Sequence, residues 1–359
     1  MNREGLLESA NAAFANGEWS GVLDHCAPLV RAAQTEVEGR SLMASALLEL
    51  HFAWEAKELV EEAALVAPHN PAVACLLARC YLEGGRFSEA IGIAGDLLAT
   101  NPDDPAARGC MTQALSARMN LRRISAHLPP AGAVPGRSRG TYTHIPIVIN
   151  CRDRVSGVHL LIEWLLRAGY QYLILLDNNS TYPPLLRYYA GLKDSRIHIR
   201  RLPANLGHTA IWRCGLASWF GEVPFVYTDP DVVPVEDCPH GAIQHLRELL
   251  NAHPQASKAG LSLRIDDLPA CFAHRDAVIA HESPFWRRPL SGGCYDAPVD
   301  TTFALYRPGA WYQLTAVRAA CPYSARHLPW YRDSSVITDE DRYYLAHGLP
   351  GVSSWGSRS

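Results

Sequence analysis

The chain has 359 residues, 48% of them apolar, with a formal net charge of −3. That is ample material for two cores and argues against general disorder, and the near-neutral balance gives no whole-chain case for a nucleic-acid partner. Ten cysteines with no C-x-x-C pair and no zinc-finger spacing, and a start without a signal-like apolar run, lead to the expectation of a cytoplasmic protein with reduced thiols and no membrane span.

The first elements in the chain repeat. Pro68 and Pro102 are 34 residues apart, as are Pro71 and Pro105; the same shift aligns Ala10, Ala44 and Ala78, then Trp19, Ala53 and Phe87, then Val22, Ala56 and Ala90. Small residues at fixed positions let paired helices approach closely, and proline closes each unit. A 34-residue period with these positions resembles the tetratricopeptide repeat. The spacing predicts three helix pairs at about 3–36, 37–70 and 71–104, with a closing helix at 105–124. Stacked pairs of this kind form a curved solenoid, and the resemblance implies a protein or peptide partner; bracing the second domain or forming a homodimer is the competing use. Residues 1–104 carry 6 Lys/Arg against 16 Asp/Glu, a net of −10, which leaves 27 against 20, a net of +7, for residues 105–359. An acidic module joined to a mildly basic one suits an anionic ligand on the second.

Residues 125–144, rich in proline and glycine, mark a linker between a helical domain (1–124) and a second domain (145–359). From 145 onward, strand and helix patterns alternate. Strands are predicted at 145–150, 172–177, 197–202 and 224–229, and helices at 157–170, 184–192 and 208–220. This order predicts a largely parallel sheet with right-handed crossovers. On such sheets ligands bind at the carboxyl ends of the strands, where four polar clusters fall. Asn150, Arg152, Asp153 and Arg154 follow the first strand, and Asp177, Asn178, Asn179 and Ser180 the second. Asn205, Gly207 and His208 follow the third, and Thr228, Asp229 and Asp231 close the fourth. Each cluster alone is also an ordinary turn signal.

The stretches "VINCRDR", "LLDNNSTYPPLL", "NLGHTAIWRCGL" and "YTDPDVVP" resemble, in order and spacing, the nucleotide-binding half of family-2-like glycosyltransferases with the GT-A fold. The likeness spans 145–234 and continues more loosely through "VDTTFALYR", "ARHLPWY" and "TDEDRYYLAHG". It implies that the α-solenoid of the repeats is followed by a Rossmann-like α/β/α domain that moves a sugar from a nucleotide-sugar donor, UDP-sugar favoured, to an acceptor, with inversion. By the same resemblance Asp231, with Asp229 and His327, would hold Mn2+ or Mg2+, while the strand-end residues named above and Arg213 would meet the donor. The late "TDEDR" matches a Glu-Asp motif, so Glu340 and Asp341 become candidate catalytic carboxylates, with Asp300 second. Two departures stand out: Asn178 occupies the place of a second acid, and Pro230 the middle of the Asp-x-Asp motif. Bridging diphosphate to carboxylates is the task of a hard divalent cation, which gives two neighbouring aspartates a reason to sit at a strand end. Trp286 and Trp330, in a late aromatic run that reaches Trp355, are candidates for stacking on a sugar, although core packing is the commoner fate of such residues.

Two other readings remain open. "DPDVV" also fits the D-x-D-x-[TV] motif of haloacid-dehalogenase-type phosphatases, with Asp229 as nucleophile and Lys258 available, but three strands precede the motif. The other is a non-catalytic scaffold with a degenerate nucleotide-sugar domain.

Overall fold

The computed structural model describes residues 2–33, 36–129 and 142–347; most of the expected linker (130–141) and Trp355 lie outside them. The chain forms N-terminal helical hairpin repeats followed by a mixed α/β sheet domain. It divides into two compact units, one of residues 1–126 with 212–219 and 311–313, the other holding the remainder.

The first unit shows its sequence period in the backbone. Helices α1 (Arg3–Ala15), α3 (Val37–Glu49), α5 (Pro71–Glu83) and α7 (Pro105–Ser125) each begin one repeat length after the last, as do α2 (Trp19–Ala32), α4 (Ala53–Val66) and α6 (Phe87–Thr100). Within each pair the turn needs one residue at positive φ: Gly17 at 72°, His51 at 65° and Gly85 at 70°. Ala10, Ala44 and Ala78 are fully buried, as are Val22, Ala56 and Ala90, so the helices meet at the small side chains. Asn70 and Asp104 cap α5 and α7 through their side-chain oxygens, each followed by proline at the first helical position. Trp311 belongs to this unit, edge-on to Trp54 at 5.9 Å, and Tyr312 stacks on Phe52 at 5.9 Å.

In the second half of the chain the elements run β1 (Ile147–Cys151), α8 (Ser156–Arg167), β2 (Leu173–Asp177), α9 (Pro183–Gly191), β3 (Ile197–Arg201), α10 (Ala210–Arg213), α11 (Leu216–Trp219) and β4 (Phe225–Thr228). They continue with β5 (Val232–Pro234), α12 (Ala242–Ala252), β6 (Lys258–Gly260), β7 (Ser262–Leu263), α13 (Arg275–Glu282), β8 (Pro289–Leu290), β9 (Cys294–Asp296), β10 (Ala304–Tyr306), β11 (Ala316–Ala319), β12 (Ser324–His327) and α14 (Asp339–His347). Where one helix is predicted over 208–220 the chain makes two short ones. Gly215 breaks it at φ 79°, and a Cβ there would fall 2.5 Å from the Phe87 ring, within the first unit.

The larger sheet has the order β3-β2-β1-β4-β10-β6-β11-β9-β8. It is parallel through β3-β2-β1-β4, as predicted, and mixed beyond, because β10 runs antiparallel between β4 and β6. All five residues of β1 and of β2 are buried, which is why both read as unbroken apolar runs. Helix α8 packs Val158, Leu161, Ile162 and Leu165 into the core at helical spacing. A smaller sheet, β5-β12-β7, pairs Val232 with His327 and so brings β12 to the Asp-Pro-Asp segment.

Candidate active site

The strand order reverses direction at β1. From β1 the chain moves outward through β2 and β3, then returns to place β4 on the other side. In open α/β sheets the crevice outside the strand ends at such a switch point is where ligands bind. The residues there are Asn150 to Arg154 at and after the end of β1 and Asp229 to Asp231 after β4.

Asp229 is held from two sides by Thr301. The Thr301 hydroxyl donates to Asp229 Oδ2 at 2.6 Å, and the Asp229 N–H donates to the Thr301 carbonyl at 3.0 Å. Burial and then the Asp231 charge push the Asp229 carboxyl well above its ordinary range, against the Thr301 and Asn150 hydrogen bonds. Asp231 is partly exposed, and its Oδ1 lies 3.8 Å from His327 Nε2. Burial lowers the His327 pKa despite the nearby Asp231, which favours a neutral imidazole. The first turn of α8 meets this segment backbone to backbone: a Cβ on Gly157 would lie 2.7 Å from the Pro230 carbonyl, so only glycine fits.

Glu340 fixes α14 to α8. Its Oε1 accepts the Val155 N–H and, at 3.1 Å, the Ser156 N–H, and its Oε2 accepts the Ser156 hydroxyl at 2.6 Å. Expected among the catalytic carboxylates, it is instead committed to closing the N-terminus of α8, where a carboxylate also complements the helix dipole. Asp341 binds Arg332 through Oδ1 and the Thr338 hydroxyl through Oδ2 at 2.6 Å, and Arg154 Nη2 lies 3.7 Å from Oδ1. Burial raises the Asp341 pKa, but Thr338, Arg332 and Arg154 together outweigh it and hold the carboxyl below its ordinary range. Asp300 is exposed beside Thr301, and its charge acts on Asp229.

Other predicted residues build the loops. Asp153, fully buried at φ 45°, accepts the N–H groups of Thr181 (2.6 Å) and Tyr182 (2.8 Å). Arg152 donates to the carbonyls of Asn178, Asn179 and His347; Asn179 takes φ 59°. Asn178 donates to the Gly207 carbonyl at 2.8 Å and accepts the Leu206 N–H at 2.6 Å, while Asn205 accepts the Gly207 N–H. The His208 carbonyl accepts the Tyr227 hydroxyl, and the Thr228 hydroxyl turns back to the Asp229 carbonyl.

Three expectations are corrected by their surroundings, besides that for Glu340. Asp177 is fully buried and taken up by Ser180, Tyr189 and Arg201, so it offers nothing to a nucleotide base. Arg213 pairs with Glu83 at 2.8 Å within the helical unit. Trp330 is 2% exposed and packs edge-on to His327 in the core, whereas Trp286 keeps a partly exposed ring beside Tyr295. Among the described residues no three His, Cys, Asp or Glu side chains form a group that could hold an ion by themselves, so Asp229, Asp231 and His327 would make up only part of a metal's shell.

Buried polar atoms without a hydrogen-bond partner at this edge include Asn150 Oδ1, Arg154 Nε and Nη1, and His327 Nδ1. Native interiors leave few such atoms, and these four could each meet a polar ligand. Thr301, Arg332, Thr338 and Tyr344 are not singled out by the sequence. Thr301 and Asp229 are far apart in the chain, and no local pattern announces their bond.

A family model described as tetratricopeptide repeat matches residues 54–114. No curated protein matches the chain. Among solved structures, the Arabidopsis OM64 TPR domain is similar at 19% identity and a TM-score of 0.30, covering 32% of this chain and 93% of that one. A point mutant of Thermobaculum terrenum O-GlcNAc transferase is similar at 17% identity and a TM-score of 0.30, covering 60% of this chain and 45% of that one. Among the described residues no helix is long and apolar enough to cross a membrane.

Proposed function

We propose that the α/β unit is a GT-A-type glycosyltransferase that takes a sugar from a nucleotide-sugar, a UDP-sugar by preference, and that the helical repeats capture a protein or peptide acceptor. The observation that carries the reading is the Asp229–Asp231 pair at the sheet's switch point, where burial and then the Asp231 charge raise the Asp229 pKa, together with the buried Arg154 guanidinium after β1, whose Nε and Nη1 have no partner. A diphosphate with a divalent cation satisfies both features.

The donor set fits Mn2+ or Mg2+ as a shared ion rather than an enclosed one. Asp231 and the neutral His327 would hold it, with Asp229 behind, and diphosphate oxygens and water completing the shell. When bound, the ion supplies Lewis-acid stabilisation of the leaving diphosphate. The protein's own part is to position and to move a proton. The acceptor hydroxyl gives its proton to a carboxylate as its oxygen bonds to the anomeric carbon. The bond from that carbon to the diphosphate breaks, and the electron pair leaves with the diphosphate toward Arg154. Asp341 is the proposed base, and the exposed Asp300 the second candidate.

A phosphatase mechanism on Asp229 is disfavoured. The Asp229 carboxyl is held by the Thr301 hydroxyl, and the buried Lys258 side chain is directed to the Asp300 carbonyl and the Tyr306 hydroxyl, each at 3.1 Å. Incubation with UDP-sugars and Mn2+, with product analysis, tests the reading. Sugar transfer or slow donor hydrolysis that is lost in Asp231→Ala supports it; phosphate release from a model ester that needs Asp229 refutes it.

For the acceptor, the net −10 of residues 1–104 favours a basic segment. Trp212 and Trp311 pack within the helical unit, so deleting residues 1–124 would strip them of their partners. Competition on the full chain is the cleaner test. A free basic peptide should inhibit transfer to a protein acceptor, less so at high salt, without slowing donor hydrolysis.

A further inference from the structure

Arg154 is nine-tenths buried, yet its Nε and Nη1 have no hydrogen-bond partner, and Nη2 reaches Asp341 only at 3.7 Å. One face of the guanidinium is covered by the Tyr344 ring, 4.2 Å from its centroid and one helical turn beyond Asp341. Its edge, the side that presents paired N–H donors, is therefore the part left unsatisfied. A buried donor without a partner is costly, and a planar fork of this kind matches two oxygens of a phosphate far better than one carboxylate oxygen beyond hydrogen-bond reach. Asp341, for its part, keeps firmer bonds to Arg332 and Thr338, so it can lose Arg154 without losing its place.

We infer that Asp341 stands in at Arg154 for the donor's diphosphate, and that donor binding displaces it, which readies this carboxylate for the acceptor only when a donor is present. The inference rests on the donor reading above. Before the donor arrives, two guanidiniums face Asp341 and weaken its hold on a proton; diphosphate on Arg154 takes one of them away. Proton abstraction from the acceptor is thereby coupled to donor occupancy. The same exchange makes Asp341 a competitor of diphosphate, which is a measurable consequence.

Titration calorimetry of the full chain with inorganic pyrophosphate and Mn2+ reads that competition. Asp341→Asn should bind pyrophosphate roughly 3–10-fold more tightly than wild type, a coupling in the usual range for contacting groups. Arg154→Gln and the charge-preserving Arg154→Lys should both bind at least about tenfold more weakly, because each lacks the fork. With Gln at 154, adding Asp341→Asn should change affinity less than about twofold. Asp339→Asn, an exposed change on the same helix paired with Arg342, should leave it unchanged, and melting curves check that each variant is folded. Unchanged or weaker binding by Asp341→Asn, or equal tightening when Arg154 is absent, overturns the exchange while the donor reading stands. No binding of pyrophosphate or UDP by wild type overturns both.

Discussion

Thr301 and Asp229 bind each other twice, hydroxyl to carboxylate at 2.6 Å and amide to carbonyl at 3.0 Å. This pair of hydrogen bonds between the end of β4 and the entry to β10 holds Asp229 in a place where burial and Asp231 oppose its charge. A carboxyl raised in this way contributes stability that is complete below the unfolded range, near about 3.9, and that is lost as pH rises through the folded pKa. Asp229→Asn keeps an acceptor for Thr301 and removes the charge. Its melting temperature without metal should exceed that of wild type by a margin that grows from pH 4 to pH 8. A margin independent of pH would show that Asp229 carries no such penalty.

Glu340 has a different duty from its neighbour Asp341. Glu340→Ala leaves the Val155 and Ser156 donors at the start of α8 without their acceptor, at a cost of about 1–3 kcal/mol. Urea unfolding followed through the buried Trp164 of α8 should show an earlier midpoint. Glu340→Gln, which retains an acceptor, should recover part of the loss. Loss of transfer with no change in stability would return Glu340 to the chemistry.

What is legible in the sequence depends on whether the physics is local. The helical period, the buried runs of β1 and β2, and the polar strand ends are patterns of near neighbours, and each falls close to where it is predicted. His51 shows the limit of composition: it takes the turn conformation that Gly17 and Gly85 take, one repeat away on either side, and its residue type does not announce it. The site's partnerships are not local. Thr301 on Asp229, Glu340 on α8 and Arg332 on Asp341 depend on how β10, β12 and α14 return to the sheet edge. For the same reason Asp177 reads in the sequence as a donor-facing strand end and Trp330 as a candidate for stacking on a sugar, and their burial comes only with Tyr189, Arg201 and His327 around them.

The hairpin turns give a test of the repeat unit. A Cβ on Gly85 would lie 2.1 Å from the Trp212 carbonyl, and φ there is 70°. Gly92, within α6, has open space around a Cβ. Gly85→Ala should therefore destabilise by more than about 1–2 kcal/mol, while Gly92→Ala should stabilise by up to about 1 kcal/mol. Thermal melts of the two variants check this, and similar behaviour in both would contradict the turn geometry.

The two candidate bases separate by activity. Asp341→Asn should retain donor binding and lose roughly 10²–10⁴-fold in transfer, with Asp300→Asn close to wild type. The reverse result would assign proton abstraction to Asp300. Near-normal rates in both would remove Asp341 and Asp300 from that step.

Whether the Asp229–Asp231 edge and Arg154 hold a nucleoside diphosphate with a divalent cation is decided by titration calorimetry of UDP into the full chain, with Mn2+ and again with EDTA. Binding should require Mn2+, disappear in Asp231→Ala without loss of fold, and weaken in Arg154→Gln. Equal UDP binding in EDTA, or full binding by Asp231→Ala, would contradict this assignment.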